Sequence, residues 1–195
     1  MTLDVALSLA VGAIFAYQLV RGKVRRYWKL LKCLRPLQWV TGTLGAAFVL
    51  VLVISLGYAL FLVAPAWMNW SWLMLFGAEE GSNVVAAPFR IPYVAWVFWL
   101  AFFILVPKMA YNEERSYRHG VQSPGAIAVA SLRFGLVHWF VGVPLTFCLA
   151  RAIAGVWFAY QYKRGGLRRA TAYHAMHNWL ILVLVASLLL SSGHI

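Results

Sequence analysis

Carboxylates are what this chain has least of. Five occur in 195 residues, Asp4, Glu79, Glu80, Glu113 and Glu114, against 17 lysines and arginines. With a single aspartate no aspartyl dyad can form. No HExxH pair for a zinc metalloprotease is present, and no G-x-S-x-G nucleophile turn. Cysteine is nearly as scarce. Cys33 sits in a basic loop and Cys148 in an apolar run, without metal-type spacing, and no structural disulfide is expected between them. Charge of either sign is thin: 11% of residues, where a water-soluble domain carries about 25%. At 63% hydrophobic, the chain is excluded as a soluble globular domain and reads as one integral membrane domain over 1–195. A net charge of +12 would point to nucleic acid in a soluble protein. Here the basic residues cluster between apolar runs, so they point to the membrane surface, and no nucleic-acid partner is expected.

Length and apolarity then place the spans. Crossing a bilayer takes roughly 20 apolar residues in a helix, and helices are the default because lipid leaves other backbone unpaired. The apolar runs predict about six transmembrane helices, near 3–20, 38–64, 94–110, 126–142, 145–162 and 171–191. The first is expected to be retained rather than cleaved as a signal. Between the fourth and fifth lie only Gly142, Val143 and Pro144. Pro144 would end a continuous helix, and a single long kinked span is the alternative. Lysine and arginine concentrate in 21–36, which holds seven of the 17, in 108–118 and in 163–169. With six spans these segments share one side, the cytoplasmic or stromal one by the positive-inside rule. The segment 21–36 alternates basic residues with Val24, Tyr27, Trp28, Leu30, Leu31 and Leu34, and predicts an amphipathic surface helix or loop. The tryptophan-rich 65–93, with Glu79 and Glu80, falls on the other side as an interfacial segment.

Against this background the adjacent pair Glu113–Glu114 calls for explanation. Glu114 and Arg118 are spaced i,i+4 and can pair on a helix, leaving Glu113 to point elsewhere. Arg133 and His138 lie inside an apolar span, where ionisable groups are costly and tend to be functional; an interhelical hydrogen bond or a snorkelling arginine is the plainer account. His174 and Asn178 are also i,i+4, so they share a helix face, with His177 nearby. The expected depths let Glu113, His138, His174 and Asn178 converge near the cytoplasmic leaflet. Two histidines and a carboxylate, Glu113 with His138 and His174, suit a divalent metal such as zinc. The same groups suit a general base with oxyanion donors. Paired histidines, His138 with His174 or His177, also suit a b-type haem, though haem leaves the glutamates and Asn178 unexplained.

Three short motifs in order, Glu113-Glu114-x-x-x-Arg118, Phe134-x-x-x-His138 and His174-x-x-x-Asn178, resemble the CPBP family, the CAAX-processing and bacteriocin-processing (Abi) intramembrane proteases. The resemblance covers about 94–191, which would form a CPBP-like helical core. It implies peptide-bond hydrolysis near the cytoplasmic membrane face of a bacterial inner or thylakoid-type membrane. Glu113 would activate water together with His138, His174 and Asn178 would stabilise the oxyanion, and Glu114 with Arg118 would hold the site in shape. The implied substrate is a membrane-embedded, prenylated or otherwise hydrophobic peptide. Some proteins of this fold act as scaffolds, so the alternative is a non-proteolytic assembly factor that binds a membrane-protein partner. His119 stands where many members have glycine.

Overall fold

The computed structural model describes residues 3–32, 34–76 and 94–191. Cys33, Glu79, Glu80 and most of the expected interfacial segment lie outside the described residues. Among the described residues the chain is helical and contains no strand. The helices are α1 (Leu3–Arg21), α2 (Val24–Leu31), α3 (Pro36–Val63), α4 (Val94–Arg118), α5 (Pro124–Leu136) and the run α6 (Leu145–Ser191), with short 3₁₀ turns at Ala66–Asn69, Trp72–Phe76 and Val137–Val141. Pro36–Val63, Val94–Arg118, Pro124–Val141 and Leu145–Leu188 are long and apolar enough to cross a membrane. Helices α1 and α2 meet at 77° and make a fifth if counted as one broken span. This is the make-up of a multi-pass membrane protein.

The break expected before Pro144 is real. α5 tightens into the 3₁₀ turn, Gly142 takes the left-handed conformation (φ 90°), and α6 starts at Leu145. α5 then packs antiparallel on the start of α6. The contact is backbone to backbone: a Cβ at Gly135 would lie 2.2 Å from the Cys148 carbonyl, and one at Gly155 would lie 2.9 Å from Ser131 Cα.

The second break is inside α6. Gly166 adopts φ 67° and ψ −167°, a region essentially closed to residues with a Cβ. The ring of Phe158 stacks on His174 at 4.1 Å and 15°, and Arg169 donates to Gln161 Oε1 at 2.9 Å. In a straight helix Phe158 and His174 would be about 24 Å apart at 1.5 Å per residue. The run therefore folds back on itself at Gly165–Gly166, and its two halves, 145–164 and 167–191, lie side by side. α3 covers both, with Gly42 against Tyr173 and Met176 and Gly57 against Phe147.

A proline fixes α4 in place. Pro107 lies inside this helix and has no N–H for the carbonyl four residues back, while its ring crowds that turn. The carbonyl so released finds an indole donor, Trp179 Nε1 to Phe103 O at 3.1 Å, and Trp28 Nε1 donates to the next carbonyl, Ile104 O, at 2.9 Å. Those donors come from the second half of α6 and from α2. Trp28, Phe103 and Trp179 also pack ring on ring, at 5.4 to 6.2 Å. α4 is thereby pinned about two and a half turns before Glu113. Lys108 bonds Gln18 near the end of α1, and Tyr27 of α2 meets Tyr111 at 5.2 Å. The basic ends of α1 and α4 and the amphipathic α2 thus gather at one end of the bundle.

Candidate functional site

The last turns of α4 present Glu113, Glu114 and Arg118 toward the second half of α6. Glu114 and Arg118 are fully buried, and the i,i+4 pair forms, Arg118 Nε to Glu114 Oε2 at 3.5 Å. Arg118 also lies over the Phe134 ring, 5.2 Å from its centroid, a favourable face for a cation. The other oxygen, Glu114 Oε1, lies 2.8 Å from His174 Nδ1. A carboxylate accepts, so His174 donates from Nδ1. That leaves Nε2 to face the second glutamate, Glu113 Oε2, at 3.6 Å. This is longer than a direct hydrogen bond. Glu113 is the open member of the set: its side chain is 30% exposed, against 0% for Glu114 and 2% for His174.

His174 is held by rings as well as by carboxylates. Phe158 stacks on one face, and Phe134 meets it edge-on at 5.5 Å. Phe134 also meets His138 edge-on at 5.2 Å, so one phenyl ring stands between the two histidines. His138 Nδ1 lies 2.8 Å from the Phe134 carbonyl. Donation to that carbonyl fixes the proton on Nδ1 and leaves Nε2 as an acceptor. Asn178 is half-buried one turn beyond His174.

The candidate residues thus divide. Glu113, Glu114, Arg118 and His174 form one contact network. His138 joins it through Phe134, and Asn178 shares the helix of His174 without a described polar contact. Arg133 is exposed on α5. His177 is buried edge-on against the same Phe158 ring at 5.6 Å, with its Nδ1 turned to α3, 3.4 Å from the Ala46 carbonyl. Among the described residues no three His, Cys, Asp or Glu side chains converge as metal ligands do. The physical reason lies at Phe134, whose ring stands between His138 and His174 and keeps His138 from meeting His174 and Glu113 at one centre. Glu113, His138 and His174 therefore do not gather as a zinc set in this arrangement, and Phe134 fills the space between His138 and His174 that a haem bridging them would need.

One charged residue within an apolar run escaped the sequence reading. Arg151 sits in the first half of α6, half-buried, beside a cavity that His177 also lines. Its charge acts on Glu113, His138 and His177. An arginine six residues into an apolar helix was the available signal. No family model matches the chain, and neither a curated protein nor a solved structure matches it.

Proposed function

We propose that this chain is an intramembrane endopeptidase of the CPBP type, in which Glu113 activates a water for attack on a peptide carbonyl. The observation that carries the reading is the setting of His174 between two carboxylates, one closed and one open. Glu114, buried and tied to Arg118, holds the imidazole by Nδ1, much as an orienting carboxylate holds a catalytic histidine. Glu113, partly exposed, is left to meet water and substrate. Glu113 takes a proton from the water, the oxygen attacks the carbonyl carbon, and negative charge develops on the carbonyl oxygen. Asn178 Nδ2 and protonated His174 are the donors to that oxyanion. His138, with Nδ1 committed to Phe134 O, offers Nε2 as an acceptor and shares in orienting the water. The proton is then returned to the leaving amine. Each step uses groups of this chain alone.

In the same reading the chain crosses the bilayer six times. The fold-back of α6 makes it two crossings, α1 adds one, and α2 lies on the cytoplasmic surface among lipid headgroups. The basic segments 21–36, 108–118 and 163–169 then share the cytoplasmic side, close to Glu113. The second reading, a scaffold without hydrolysis, draws on the burial of Glu114, Arg118 and His174, which a purely structural ion-pair network would also show.

The test is the set of new peptide termini in membrane proteins of cells carrying wild-type chain or Glu113→Ala. General-base loss typically costs ~10²–10⁴-fold in rate, so termini produced by this protein should vanish in Glu113→Ala and in His138→Ala at normal protein levels. Unchanged termini together with intact cellular function in both variants would sink the protease reading and leave the scaffold.

A further inference from the structure

The cavity beside Arg151 has chemistry of its own. It is a half-open cleft of about 680 Å³ between α3 and the two halves of α6, within the roughly 300–1,000 Å³ of small-molecule sites. Its walls are apolar, with Leu50, Val53 and Ile54 from α3 and Phe147 and Ile181 from α6. Arg151 is the one charged side chain in this wall. No ion pair to it is found among the described residues. The acid whose charge acts on it, Glu113, has its carboxylate at His174 Nε2 instead. A guanidinium against an apolar cavity, deep in a membrane bundle, is costly unless an anion meets it. It also offers a fork of donors that matches a carboxylate or phosphate.

We infer that this cavity is a binding site for a single-chain acidic amphiphile, its anionic head on Arg151 and its apolar chain along Leu50, Ile54 and Phe147. The occupant is set by charge complementarity, since a neutral lipid would leave the guanidinium unmet, and one alkyl chain matches the volume of the cleft. Carboxylate and phosphate monoester heads share the required chemistry. The inference does not rest on hydrolysis and would survive loss of the protease reading.

Native mass spectrometry of the intact chain from dodecyl maltoside micelles tests it, with palmitate, hexadecyl phosphate and methyl palmitate as probes. Wild type should bind one palmitate or one hexadecyl phosphate per chain, at least ~10-fold tighter than methyl palmitate, the loss expected when a charged hydrogen bond is removed. Preference between the two acids assigns the head as carboxylate or phosphate. Arg151→Gln should lower acid binding by ~10-fold and leave the ester unchanged, with Arg151→Lys in between. Ile54→Trp, which fills the cavity, should block the acid. Equal binding of acid and ester by wild type overturns the inference without any variant. Retention of acid binding in Ile54→Trp overturns it as well, because the acid would then sit elsewhere.

Discussion

Glu114 is buried with two partners, His174 on one oxygen and Arg118 on the other. Removing one partner of such a pair strands the remaining charge, at a cost of about 3–5 kcal/mol, whereas replacing both by apolar residues can be close to neutral. Glu114→Leu should therefore destabilise the chain by about 3–5 kcal/mol, and Glu114→Leu with Arg118→Met should recover much of that loss. Unfolding in mixed micelles with increasing dodecyl sulfate measures both, and equal losses in single and double variants would show that the pair is not coupled. Glu113→Ala, on the partly exposed side of His174, should cost clearly less than Glu114→Leu, because Glu114 keeps the Nδ1 contact to His174. At this scale the sequence was legible wherever partners lie on one helix, as Glu114 and Arg118 do. It was silent on His174 sitting between both glutamates, because that contact joins residues 60 positions apart.

Among the elements, α4 depends most on its neighbours. Pro107 releases the Phe103 carbonyl that Trp179 satisfies, so this indole replaces a hydrogen bond that the helix cannot make itself, and Trp28 adds one to the neighbouring Ile104 carbonyl. In Trp179→Phe the Phe103 carbonyl is left unmet, at about 1–3 kcal/mol. In Pro107→Ala the backbone regains an N–H for that carbonyl, and the indole becomes redundant. A double-mutant cycle should therefore show Trp179→Phe costing less in the Pro107→Ala background, with a coupling of about 0.5–3 kcal/mol. Additive effects would mean that the indole acts by ring packing alone. Proline and glycine also set where the other elements end. Pro144 was readable as a stop before α6. The fold-back at Gly165–Gly166 was legible only as a gap between two apolar runs. Helical hydrogen bonding runs close to the turn from both sides, and it is contacts across the turn, Phe158 with His174 and Arg169 with Gln161, that establish that the halves lie together.

For the whole molecule, the arrangement of helix ends predicts where reagents reach. Cysteines placed at Gln122 and Lys163, both exposed, in a chain with Cys33→Ser and Cys148→Ala, should react with a membrane-impermeant maleimide from the cytoplasmic side. A cysteine at Trp70, 55% exposed, should react from the opposite side. Labelling of positions 122 and 163 from different sides would refute the six-crossing arrangement. The basic ends gather beside Tyr27, Tyr111 and Lys108 at one end of the bundle. The charges sit where anionic headgroups can meet them.

Composition and hydropathy alone determined that this is a multi-pass helical membrane protein, since lipid permits few other ways to satisfy an apolar backbone. They also located its scarce carboxylates and intramembrane histidines, because a charge inside an apolar run stands out against its neighbours. Side-chain partnership was decided only by tertiary structure. The meeting of Glu113, Glu114 and His174 requires α4 to be anchored by two indoles at Pro107 and α6 to turn back at Gly166. Arg151 stood out in its apolar run as well, but the cavity it faces is built jointly by α3 and both halves of α6, and periodicity carries no information about which faces of different helices meet.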